Sequence, residues 1–308
     1  MIGAGVAALL ITASEQGYGQ AMNGHGDWVT APSRNFNVHA FKLKDLVGTL
    51  TVAVRNGGPV SVEVSGNRAR VGQVRFSQDG GQLVIQCPDT EMNVSVWDWK
   101  NWFNFTDTEN RSHQRLAIKL SVPRGTDVAV DGLVGDAVIG DTMGRLDFEA
   151  AASKAHIGNV SDAKVELGGT GTVDIASVAH TLDLDVGGSG KIHVGSAGRV
   201  KADLAGSADA QFGAIAGGLD LDIAGSGDVT ASHVNGPVSV DIAGSGSVRI
   251  ADGVADPLHV NIMGAGNLYF GGMAVDPRVD AVGSGSVHIK AYHGHLSSEG
   301  MADVKIGD

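Results

Sequence analysis

The sequence predicts an all-β fold, a parallel β-helix solenoid with coils of about 19 residues, and three observations carry that prediction. The first is a recurrent turn. Copies begin at Gly169, Gly188, Gly206, Gly225, Gly244, Gly264 and Gly283, at steps of 19, 18, 19, 19, 20 and 19 residues. A fixed short period marks units that bury their apolar faces only by stacking on their neighbours. The second is a set of apolar columns that appears when the copies are aligned. One reads Leu182, Val200, Leu219, Val238 and Leu258, the next Val165, Leu184, Ala202, Leu221, Val240, Val260 and Val279, and a third Leu167, Val186, Leu204, Ile223, Ile242, Ile262 and Ala281. A strand on the other side of the turn supplies Val173, Ile192, Ala210, Val229, Val248, Leu268 and Val287. The third observation is that polar residues fill the positions between these columns, which is the period of two expected of strands with one buried face.

The unit itself explains the period. From Leu219 to Ser247, short alternating runs are separated by Asn235-Gly-Pro237 and closed by Gly225-Ser-Gly227 and Gly244-Ser-Gly246, which is strand and turn chemistry. Weaker copies extend the pattern through Val128, Val130, Leu146 and Phe148 upstream and Val304 and Ile306 downstream. About nine coils at the roughly 4.8 Å spacing of neighbouring strands make a rod on the order of 40 Å long.

Composition agrees. Among 308 residues there are 46 glycines but only 7 prolines, so the glycine excess belongs to repeated turns rather than to disorder. The net charge of −12 argues against nucleic acid as a partner, because phosphate is repelled. The single cysteine, Cys87, excludes an internal disulfide and a thiolate metal cluster.

In chain order, residues 1–21 read as a signal peptide or hydrophobic lead: the apolar run to Ala13 is too short to span a bilayer and lacks a basic start. Its alternative is a buried N-terminal strand. Residues 22–35 read as a linker. Residues 36–130 form an N-terminal β-rich part, either the first turns of the same sheets or a cap over an otherwise open strand edge. An aromatic insertion at 95–113 interrupts it, with Trp97, Trp99, Trp102, Phe103 and Phe105 close together in a chain that is only 5% aromatic. Exposed, such a cluster is a ligand-binding surface for a glycan or another surface partner; folded down, it is a hydrophobic plug over the solenoid end. Residues 131–308 are the regular coils.

Outside the core the most regular feature is an acid ladder: Asp131, Glu149, Glu166, Asp185, Asp203, Asp222, Asp241, Asn261 and Asp280 occupy one equivalent position. Two residues earlier stand Asp147, Lys164, Asp183, Lys201, Asp220, Ser239, His259 and Arg278, so cations alternate with acids. The ladder is either a solvated face or, through Asp185, Asp203, Asp222 and Asp241, a line of weak calcium sites. The glycine turns are not calcium-binding nonapeptide repeats, because they occur once per coil and carry no fixed Asp. Nor are they phosphate loops, since strands follow them. His293-Gly-His295 offers two imidazoles but no third metal ligand, and the acids are spread by repetition rather than gathered, so no catalytic residue is assigned.

The sequence is similar to the bacterial putative auto-transporter adhesin, head GIN domain family. The resemblance runs over residues 33–289, through the Lys119-Leu-Ser-Val-Pro123 step and then the serial turns. Gly225-Ser-Gly-Asp-Val229 and Gly244-Ser-Gly-Ser-Val248 match best, and Gly188-Ser-Gly-Lys-Ile192 and Gly283-Ser-Gly-Ser-Val287 follow. Early coils depart from it, with Ala152-Ser-Lys154 in place of the turn. The resemblance implies an exported β-helical protein of the bacterial envelope with no established enzymatic activity; the expected location is the periplasm, the outer membrane or the cell surface, and no enzyme activity and no cofactor beyond weak calcium are expected. The expected function is therefore adhesin-like binding. The alternatives are a structural envelope component that self-associates as a homo-oligomer, and a polysaccharide-active enzyme built on the β-helix.

Overall fold

The computed structural model describes residues 28–88, 115–300 and 303–307. Their strands form a parallel β-solenoid with turns of about 19 residues, about nine turns in all. The register is the one the sequence columns require. Leu182, Val200, Leu219, Val238 and Leu258 pair in succession from strand to strand, as do Leu184, Ala202, Leu221, Val240, Val260 and Val279. Across the turn, Val173, Ile192, Ala210, Val229, Val248, Leu268 and Val287 form the facing column, and Val304 continues it. All of these except Val304 are buried. A one-residue slip would turn each column to solvent, which is why the register is so strongly specified.

Five consecutive coils also have a third, short side that the period-two pattern does not announce. Val160, Val178, Ala197, Ile215 and Val234 pair in line and are buried, one apolar residue per coil. A single residue per coil makes no alternation, so only its recurrence could reveal it. The Asn235-Gly-Pro237 step, expected as a turn between strands, is a bend inside the continuous strand Asp228–Gly244, with Gly236 at φ 101° and a register shift beside it.

The glycine turns are fixed by close approach between coils. The amide of Ser245 donates to the carbonyl of Gly225 at 2.8 Å, and Ser226 and Ser284 repeat the bond to Gly206 and Gly264. Gly225, Gly244, Gly264 and Gly283 all sit at φ between 126° and 139°, which L side chains rarely adopt.

The N-terminal part contains both parallel and antiparallel strands. Ala40–Arg55 is a strand of the solenoid proper, pairing in parallel with Asp127–Ile139, while the strands around it build a cap. Its other edge is covered in parallel by Gln82–Gln86 and Leu116–Pro123. On these lie antiparallel strands, Val60–Asn67 on Leu116–Pro123 and Arg75–Asp79 on Gln82–Gln86, with Trp28–Thr30 and Arg34–Phe36 on Val60–Asn67. The chain's first long strand is therefore the second rung of the rod. Helical periodicity is absent from the sequence here, and among the described residues there is a single helical turn, Arg68–Val71, too short to show one; Asn67 caps it by accepting from the amide of Ala69 at 3.0 Å. Cys87 is buried in the same core, and burial pushes its thiol up to about 12, which makes it inert as a nucleophile.

Candidate binding faces

The solenoid places the acid ladder in register along one outer sheet face. Asp185, Asp203, Asp222, Asp241, Asn261, Asp280 and Glu299 pair in succession, and Glu149 pairs with Glu166. Asp131 leaves strict register, because a bulge follows Val130, yet its carboxylate still reaches that of Glu149. Adjacent side chains stand about 4.8 Å apart, where two carboxylates in water repel by at most about 0.9 kcal/mol before salt screening.

Cations relieve that repulsion on alternate rungs. Lys42 pairs with Asp131 at 3.1 Å, Lys201 with Asp203 at 3.4 Å and Arg278 with Asp280 at 3.0 Å, and Lys164 holds Glu166. The hydrogen bond to Glu166 raises the Lys164 ammonium above its ordinary value, and the charge of Asp203 does the same for Lys201. The rungs between them show the opposite consequence. Glu149, Asp185 and Asp222 all have carboxyls raised above their ordinary values, first by partial burial and then by the neighbouring acids. From Asp131 to Asp222 the ladder thus alternates between an acid held by a cation and an acid held between acids, and Asp241 next to Asn261 ends the alternation.

Beside the ladder runs a column of small side chains, Gly187, Ala205, Ala224 and Ala243, which ends in Met263 and Val282. Short side chains next to long acids leave a trough of about 440 Å³, walled by Asp185, Asp203, Asp222, Asp241 and Asn261 and floored by the alanines. Met263 and Val282 are 59% and 65% exposed at its end.

The expected calcium residues Asp185, Asp203, Asp222 and Asp241 are brought together as a line rather than a cage. Among the described residues no three His, Cys, Asp or Glu side chains converge on a point that could hold a metal ion. The expected aromatic ligand-binding residues, Trp97, Trp99, Trp102, Phe103 and Phe105, lie outside the described residues. Both strands that flank them pair with Ala40–Arg55 at the capped end.

On the second outer face, across the glycine turn, the register lines up His156, Asp174, His193, Gln211, Thr230, Arg249, Tyr269, His288 and Lys305. His156 Nδ1 lies 3.0 Å from Asp174. Farther along, the Arg249 guanidinium lies 4.2 Å over the Tyr269 ring, and His288 stacks on Tyr269 with ring centres 5.2 Å apart. Sequence reasoning missed this stack, which lies in the outward column that runs from His193 to His288. Its signal was Arg249 and Tyr269 at the positions between those histidines.

The family model described as putative auto-transporter adhesin, head GIN domain, matches residues 41–253 and again 196–295. The chain belongs to that family. Two overlapping matches to a GIN-domain chain follow from its period, since a repeat aligns with the same model in more than one register. No curated protein matches it in sequence. Among solved structures it is similar to a putative adhesin from Bacteroides fragilis NCTC 9343, with 15% identity, a TM-score of 0.45 and coverage of 92% of this chain and 98% of that one. A putative adhesin from Parabacteroides distasonis ATCC 8503 is similar at 16% identity and TM-score 0.35, with 92% and 98% covered. A putative cell adhesion protein from Clostridium sporogenes ATCC 15579 follows at 10% identity and TM-score 0.27, with 92% and 100% covered.

Proposed function

We propose that this GIN-domain chain is an exported, non-catalytic adhesin of the bacterial envelope or cell surface that binds a glycan along a face of its solenoid. The observation that carries this reading is the register itself. Equivalent outward side chains recur on consecutive coils at about 4.8 Å, so each face presents a line of polar groups rather than a closed pocket. A line of that kind suits an extended polymer, whose many weak contacts sum along the rod. The family's description as an adhesin and the apolar run at residues 1–13 support export.

The test is a screen of the protein against immobilised glycans and envelope polymers, with and without millimolar calcium. Retention of at least one polysaccharide at micromolar protein, with no change in the polymer's chain length after incubation, is the expected result. Shortening of a bound polymer would replace the adhesin reading with a glycan-active enzyme, and retention of none would remove the glycan.

A further inference from the structure

The geometry points to the Arg249–Tyr269–His288 stack as a binding site for an acidic polysaccharide, one whose sugars carry carboxylates. The inference rests on the glycan-binding reading and supplies its face and its ligand class. Arg249, Tyr269 and His288 follow one another on three consecutive coils, with the guanidinium 4.2 Å over the phenol and the imidazole stacked on its other side. These contacts cover the faces of the Tyr269 ring. What remains toward solvent are the edges of the three groups, which carry the hydrogen-bonding nitrogens and the phenol oxygen.

The surroundings select the ligand. Arg249 is exposed and has no carboxylate partner among the described residues, whereas Lys42, Lys164, Lys201, Arg278 and Lys305 all do. The adjacent outward column on the same three coils is Ser247, Asn267 and Ser286, neutral groups that both donate and accept. Asp228 precedes this stretch of the column and Asp303 follows it, so three coils in a row are free of acids on this side. Lys290 adds a second exposed cation two residues beyond His288. The Arg249 guanidinium, held over the Tyr269 ring, can offer its fork of N–H donors to a bidentate carboxylate, and the serine and asparagine row beside it meets sugar hydroxyls. The opposite choice is closed on the ladder face, where repeated carboxylates repel an acidic polymer. The net charge of −12 opposes any polyanion, and most strongly the densest, such as duplex nucleic acid with one charge per about 1.7 Å.

The test uses polygalacturonic acid and its fully methyl-esterified form, which share a backbone and differ in charge. Binding of each is measured by calorimetry for the wild type and for Arg249→Ala, Arg249→Lys and, on the other face, Asp222→Asn. The acid form is expected to bind and the ester to bind at least about tenfold more weakly. Arg249→Ala is expected to lose roughly ten- to hundredfold in affinity, the scale of one charge-assisted bidentate contact. Arg249→Lys keeps the charge without the fork and is expected to lie between, while Asp222→Asn is expected to bind as the wild type does. Equal binding of acid and ester, or an unchanged Arg249→Ala, overturns the assignment. If other polysaccharides are retained in the screen but the acid polymer is not, this site fails while glycan binding stands; if none is retained, both fail together.

Discussion

A Cβ placed on Gly244 would lie 2.2 Å from the carbonyl oxygen of Gly225, the residue directly beneath it in the preceding coil. Gly225 stands in the same relation to Gly206, and Gly283 to Gly264, at 2.2 and 2.0 Å. The turn glycines are thus a stack of mutual contacts, in which each coil is seated by the absence of a side chain on the next. Gly244→Ala is expected to cost about 2–4 kcal/mol, because it combines a forbidden backbone angle with a clash against backbone. Gly187→Ala is the control: its Cβ would meet nothing within 4 Å, and its column continues as Ala205, Ala224 and Ala243. It is expected to be neutral or to stabilise by up to about 1 kcal/mol. Urea denaturation of both variants checks the pair.

The ladder predicts a pH effect of definite sign. The Asp222 carboxyl is raised above its ordinary 3.8 by partial burial and by Asp203 and Asp241. Between the ordinary and the raised value the folded state binds more protons than the unfolded one, so stability falls as pH climbs through that window. Asp222→Asn removes the cost, as Asn261 already does two coils away. Most of this side chain meets solvent, so the expected gain at neutral pH is only a few tenths of a kcal/mol, roughly a degree or less in Tm. The gain is expected to vanish by about pH 3, where carboxyls in both states are protonated. Thermal melts at pH 7 and pH 3 decide it.

Leu221 is buried between Ala202 and Val240 in the central column. With a small residue already on one side, Leu221→Ala leaves a void that the neighbours cannot fill, and a loss of about 3–4 kcal/mol is expected. Since a solenoid is held by nearest-neighbour interfaces, the loss is expected to be local. Hydrogen exchange should quicken first in the coils that contain Ala202, Leu221 and Val240, and a uniform loss of protection along the rod would contradict that locality.

Because Gly225 pairs with Gly244, deletion of residues 226–244 joins equivalent positions and removes one whole coil. The shortened chain is expected to fold, with a denaturant m-value reduced roughly in proportion to the residues lost. Deletion of residues 226–234 instead breaks the register and is expected to prevent cooperative unfolding. Circular dichroism and urea titration of the two deletions test the modularity directly.

How legible was this in the sequence? Leu184, Ala202, Leu221 and Val240 announced their column because burial on one face leaves a strict period of two, and the structure pairs them as aligned. The acids Asp203, Asp222 and Asp241 were legible for the same reason, since register carries outward residues along with inward ones. The side built on Val178, Ala197, Ile215 and Val234 was not, because one residue per coil sets up no alternation. The Arg249–Tyr269–His288 stack escaped notice because it is not a repeat: three different side chains become one feature only when the coils are placed on one another. The antiparallel cap was likewise hidden, since Val60–Asn67 and Leu116–Pro123 read alike as strands and nothing local reveals their relative direction.

The place of Ala40–Arg55 as the second rung bears on how the molecule comes into being. Synthesis delivers this strand early with both edges bare, and neither is covered until residues 82–86, 116–123 and 127–139 have arrived. That closure joins distant parts of the chain, the kind of step that is slow because loop entropy is lost before contacts form. Beyond residue 146 each new strand meets an edge already waiting for it, about 19 residues back, and addition becomes local. The rod is therefore expected to assemble in two regimes, a slow start at one end and a rapid zipper from there onward.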